Sequence, residues 1–145
     1  MPDADAPQTP LLPNLMSFLP CHEIFRDPNK ESPIAIGPIN RGFMSQFPGH
    51  IKLSFLLEFT GCHGRYWPQL QLRDERDHIV WGWTCSDPFE QTNPLVTHQH
   101  TVMDLMVAVP RPGRYFLVLL MNEQIMTQRA ISITPPKPRE SSKPA

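Results

Sequence analysis

The stretch IKLSFLLEF, residues 51–59, decides the fold class. Ile51, Leu53, Phe55, Leu57 and Phe59 fall on one side of an extended chain, and Lys52, Ser54 and Glu58 fall on the other. Side chains on a strand alternate between two faces, so this period-two pattern predicts a half-buried β-strand. The same period recurs down the chain. Tyr66, Leu70 and Leu72 alternate with Gln69, Gln71 and Arg73, Ile79 aligns with Trp81, Trp83 and Cys85, and Met103 aligns with Leu105, Val107 and Val109. After the Pro112-Gly113 turn signal come Tyr115, Leu117, Leu119 and Met121. Asn122-Glu123 then opens a short hairpin into residues 124–133.

Two weaker segments, residues 17–25 and 33–41, flank a polar loop, and Pro20, Pro33 and Pro38 suit edge strands or strand ends. About eight strands with turn signals between them predict an antiparallel β-sandwich, immunoglobulin-like in type, with a small closed barrel as the alternative. One stretch, DPFEQTNPL at 87–95, is expected to hold a short helical turn.

The chain has 145 residues, the length of one domain, and such a chain buries enough surface to need no disulfide or metal. Of its 18 prolines, nine lie in residues 1–20 and 135–145. Proline at that density blocks ladders and helices, so the expected division is a flexible segment 1–15, a sandwich 16–134 and a flexible tail 135–145. A net charge of -1 gives no basic surface for nucleic acid. The longest apolar runs fall far short of the ~20 residues that span a bilayer. The first ten residues have no basic start and no apolar run, so no signal peptide is expected. Three cysteines in such a chain read as reduced thiols, and the expected location is cytoplasmic.

The order of these segments resembles a family of small bacterial proteins of unknown function. The resemblance rests on CHEIFRDPNKESPIAIGPINRGFMSQFPGHIKLSF (21–55), on LQLRDERDHIVW (70–81) and on PRPGRYFLVLLMNEQIMTQRAISI (110–133). It covers residues 17–133 and implies a β-sandwich; it implies no activity and no catalytic residue. The Cys-His pairs and an aromatic-rich fourth strand region depart from the family pattern.

Several residues have chemistry to weigh. His98 and His100 are two apart, so they share a face of a strand and form a metal-ligand pair. By parity they oppose Met103, Leu105 and Val107, so they are expected to point outward unless the strand bulges. Cys21-His22 and Cys62-His63 each offer only one ligand per face, and the bland reading of the thiols is as small hydrophobes. Cys62 lies in a glycine-flanked turn beside His63 and near Arg65, but nothing in sequence assembles a base and an oxyanion hole around it. Asp74, Glu75 and Asp77 form an acidic run best read as a solvated hairpin loop.

Trp67 has the opposite parity to Leu70 and Leu72, so it is the aromatic expected to be exposed. Phe116, Val118 and Leu120 make the second face of their strand apolar, and a strand apolar on both sides is either central or covered. Trp67, Phe116, Val118 and Leu120 are therefore the candidate partner-binding residues. The expectation is a non-enzymatic module without cofactor that binds a protein partner or a second copy of itself, with no nucleic-acid or membrane partner. Two alternatives remain. One is a metal- or thiol-dependent enzyme using His98, His100 and a cysteine; the other is a structural component of a larger assembly.

Overall fold

Residues 51–59 form the middle of the best-buried strand of the molecule. A computed structural model describes residues 12–26, 29 and 33–136. Its strands are β1 (Asn14–Phe25), β2 (Ile34–Pro38), β3 (Arg41–Phe43), β4 (Gly49–Thr60), β5 (Gly64–Tyr66), β6 (Pro68–Arg73), β7 (Ile79–Thr84), β8 (Phe89–Gln91), β9 (His98–Val109), β10 (Gly113–Met121) and β11 (Gln124–Thr134). One sheet has the order β2-β1-β4-β9, and the other has the order β3-β11-β10-β6-β7. A ribbon of β5 and β8 stands apart. The protein is all-β, with its two main sheets packed against each other. No helix among the described residues is long and apolar enough to cross a membrane.

The core lies between the sheets. Leu53, Phe55, Leu57 and Phe59 of β4 meet Leu70 and Leu72 of β6 and Tyr115, Leu117 and Leu119 of β10 in one buried cluster. Each such side chain stabilises the fold by about 1.5–3 kcal/mol relative to exposure. β10 is central, bonded to β11 on one side and β6 on the other. At its start the Tyr115 hydroxyl donates to the Arg111 carbonyl at 2.6 Å, closing the corner between β9 and β10.

The expected eight strands become eleven at three places. Residues 33–41 are not one strand. Pro38 ends the pairing with β1, and after Asn40 the chain crosses to the other sheet as β3. There it runs parallel to β11, so the sandwich is not wholly antiparallel. Residues 66–75 divide at Trp67 into β5 and β6, and the expected helical turn at 87–95 is instead the short strand β8, paired to β5. At the N-terminal side β1 begins at Asn14, inside the segment expected to be flexible. The remainder of the two expected tails, 1–11 and 137–145, lies outside the described residues.

β9 contains the irregularity that matters most. Leu53 faces Leu105, yet Phe55 faces Val102, so Ser54 alone faces Met103 and Asp104. This is a β-bulge, with Asp104 at φ 59°, a conformation that Asp tolerates better than most residues. The Asp104 N–H donates to the buried Ser54 hydroxyl at 3.0 Å. The extra residue reverses the parity of everything before it. Met103 is exposed where alternation placed it inside, and His98 and His100 join Val102 on the inner side.

The outer row of β10 also differs from expectation. Val118 is 0% exposed and Leu120 7%, while Phe116 is half-buried. Val118 lies between Gln71 and Gln128, and Leu120 between Gln69 and Ile125. Arg73 lies along the sheet, donating to Gln71 Oε1 at 2.7 and 3.0 Å. Long polar side chains carry enough aliphatic stem to wall in a narrow row. Val118 and Leu120 therefore do not supply the exposed patch that the sequence suggests. Ile79, expected in the core, is 57% exposed at the outer strand of its sheet.

Two substitutions test this packing. Val118→Lys places a charge at a fully buried site without a partner and is expected to cost at least ~3 kcal/mol in chemical denaturation. Tyr115→Phe removes only the corner hydrogen bond and is expected to cost about 1 kcal/mol by the same measurement.

Candidate functional site

Because of the bulge, β9 delivers His98 opposite Phe59 and His100 opposite Leu57, facing the ribbon of β5 and β8. The ribbon pairs Tyr66 with Phe89. The Phe89 ring stacks on His98 at 4.0 Å between centroids and lies 5.4 Å from His100. Phe59 and Tyr66 complete the cluster at 5.8 and 5.4 Å from Phe89. The ribbon is tied down by polar contacts. The His63 N–H donates to the Tyr66 hydroxyl at 2.8 Å, His63 Nδ1 lies 3.1 Å from the Thr92 carbonyl, and the Gly61 N–H donates to the Pro94 carbonyl.

The two imidazoles are parallel to within 21°, with centroids 6.3 Å apart. His98 Nε2 is buried and meets no hydrogen-bond partner among the described residues. Burial lowers the pKa of His98. Burial also lowers that of His100, and the charges of His98 and Arg26 add to it. Both rings are therefore neutral at neutral pH and packed as aromatic surfaces. Among the described residues no group of three or more His, Cys, Asp or Glu side chains is placed to hold a metal ion.

The cysteines are free and buried. Burial pushes the Cys62 thiol up, and the Cys21 thiol likewise, the latter partly offset by the Glu23 backbone N–H. Cys21 Sγ lies 3.5 Å from the Ser54 carbonyl and Cys85 Sγ 2.9 Å from the Asp87 carbonyl. A raised thiol holds little thiolate at neutral pH and is a poor nucleophile.

The acidic run 74–77 divides in two. Glu75 and Asp77 are exposed, as a solvated loop requires, but Asp74 is buried. Its Oδ1 accepts the N–H groups of Arg76 and His78, each at 2.9 Å, and its Oδ2 faces Arg111 at 3.4 Å. The His78 N–H is the main reason that its carboxyl stays below the usual range. Asp74 shapes the β6–β7 turn.

Of the four candidate contact residues, Trp67 is 40% exposed and Phe116 half-buried, and the other two are internal. Trp67 is held by its backbone: its N–H donates to Asn122 Oδ1 at 2.9 Å and its carbonyl accepts the Asn122 N–H. The sequence reading missed a different surface, the free edge of β7. Its strand IVWGWT looks like core because Trp81 and Trp83 face Leu72 and Leu70, yet both are only half-buried. The signal for its edge position is in the composition, since exposed Gly82 leaves a gap on the other face.

No protein-family model matches the chain, and no curated protein matches it.

The histidine cap generates a pH prediction. Both folded-state pKa values lie below the unfolded value of about 6.5, so the unfolded chain takes up protons first as pH falls. The contribution to stability is complete above that value and is lost as pH drops below it toward the folded pKa values. Denaturation midpoints are expected to fall between pH 7 and pH 5. In a His98→Leu, His100→Leu variant that slope should flatten. The lowered carboxyl of Asp74 acts only in the acidic carboxylate range and does not interfere.

Proposed function

We propose that the chain is a non-enzymatic binding module that pairs through the edge of β7, with a second copy of itself as the simplest partner. One observation carries this reading. β7 is the outermost strand of its sheet, six residues long, with no charge and no proline. Exposed edges template pairing with other chains, so soluble proteins usually block them with charges, prolines, bulges or brevity. The other three edges have such blocks. β9 carries the bulge at Asp104 with Lys52 3.7 Å away, β2 carries Pro38 and the left-handed Gly37, and β3 is three residues long and starts with Arg41. β7 has one such block of its own, a bulge at Val80 where the pairing with β6 passes from Leu72–Trp81 to Arg73–Ile79, and this leaves Trp81–Thr84 as a regular edge without charge or proline.

Antiparallel pairing of β7 with a two-fold copy is self-complementary and makes one continuous sheet from five strands of each subunit. The same edge would serve a structural component of a larger assembly. The enzyme alternative has less support, because the imidazoles are engaged in stacking and two of the thiols are raised by burial.

The immunoglobulin-like assignment belongs to the same proposal. β1, β4 and β9 have the neighbour relations of strands A, B and E, and β3, β11, β10, β6 and β7 those of A′, G, F, C and C′. The Tyr115 corner supports it. Leu117 stands where antibody domains carry the second bridging cysteine. Kinship of residues 17–133 with the small bacterial proteins of unknown function fits this frame. Free thiols fit a reducing compartment, which favours the cytoplasm.

Gly82→Lys tests the edge. A side chain there meets only the Leu70 carbonyl at 3.9 Å, an ordinary contact, so folding should be unaffected. The wild-type chain is expected to sediment as a dimer, and the variant as a folded monomer whose melting temperature, unlike that of the wild type, does not depend on concentration. A wild-type chain that stays monomeric at high micromolar concentration overturns self-pairing at β7.

A further inference from the structure

A row of polar side chains crosses the outer face of the five-strand sheet at the edge opposite β7. Arg41 of β3 faces Ser132 of β11, and Ser132 faces Arg114 of β10. Directly opposed residues on neighbouring strands project to the same side, so two guanidiniums flank one hydroxyl. With Asn40 and Ala130 they line a hollow of about 500 Å³. Ala130 leaves room where a longer side chain would fill the space.

The backbone fixes both arginines. The Ser132 N–H donates to the Asn40 carbonyl at 3.2 Å, and the next residue, Gly42, is pressed onto the core. A Cβ at Gly42 would lie 2.7 Å from Ile51 Cδ1, so a larger residue there would have to displace the Ile51 side chain, and with Gly42 inward Arg41 points outward. On the other side the Arg114 guanidinium sits over the Phe116 ring at 5.8 Å. Stacking of this kind engages the face of the guanidinium and leaves its edge N–H groups to donate.

These donors have no acceptor among the described residues. Of the other six described arginines, Arg26, Arg65, Arg73, Arg111 and Arg129 each donate to an oxygen of the chain, and the exposed Arg76 of the β6–β7 turn does not. Arg41 and Arg114 form no hydrogen bond or ion pair among the described residues. Of the described carboxylates, Asp77 pairs with Arg73 and Asp74 with Arg111. Two positive charges with planar, forked donors suit a tetrahedral dianion better than a single carboxylate.

The geometry points to a binding site for the phosphate group of a small phosphate monoester, held between Arg41 and Arg114 with Ser132 and Asn40 as further donors. The hollow lies within the size range of small-molecule sites. This site is independent of β7, at the other edge of the sheet.

Amide correlation spectra of the full chain, titrated with inorganic phosphate at pH 7 and constant ionic strength, test it. Saturable shifts are expected at Arg41, Arg114 and Ser132. Arg41→Gln and Arg114→Gln should each raise the Kd at least tenfold without changing the melting temperature, since both side chains are exposed. Absence of saturation overturns the site. Equal response to acetate overturns the phosphate assignment, and undiminished binding in the double variant overturns the residues named.

Discussion

The hydrogen bond from the Asp104 N–H to the Ser54 hydroxyl decides which way half of β9 faces. Ser54 is fully buried on β4, and a hydroxyl buried without a partner costs about 1–3 kcal/mol. A regular ladder would offer it only a side chain. The bulge offers a backbone N–H instead, and Asp104 takes a left-handed φ to provide it. One inserted residue then turns His98 and His100 toward Phe89. Without it the ribbon of β5 and β8 would rest on Gln99 and Thr101, which cannot stack on an aromatic ring. The bulge thus supplies the apolar footing for the ribbon and also blunts the β9 edge with an outward Asp.

This also explains what the sequence made legible. The strands at 51–59 and 115–121 are readable because neither carries an extra residue: the bulges in their ladders lie on the partners β1, β9 and β11. His98 and His100 were misread because parity was counted back from Leu105 through a bulge that no residue type announces. Asp104 tolerates the conformation but does not require it. β3, β5 and β8 have three residues each, too few for any period to show. The crossing at Pro38–Asn40 was visible only as a strand end, because whether the chain then stays in its sheet depends on Gly42 fitting against Ile51.

Val118 and Leu120 failed for another reason. Alternation assigns faces, but exposure depends on neighbours. On a central strand, glutamines and an arginine on either side can close an apolar row that would lie open at an edge. Trp81 and Trp83 show the converse. They have core parity and core partners, and yet they are only partly buried, because nothing is bonded beyond β7. Sheet order therefore controls exposure here as much as residue type does, and sheet order is the property a single sequence carries least clearly.

The edge at β7 and the arginine hollow lie at opposite ends of one sheet, and that fixes how they relate in a pair of subunits. From β11 to its copy across a β7–β7 contact there are seven strand spacings, about 34 Å at ~4.8 Å each. Adjacent strands also rotate by roughly 20–25°, so the same seven steps accumulate about 150° of twist. Two hollows on the same nominal face of a continuous sheet would then look in nearly opposite directions. A flat anionic surface cannot reach both at once. On the two proposals taken together, such a pair would present two separate small-ligand sites, so pairing through β7 should leave phosphate affinity per site unchanged and give no avidity.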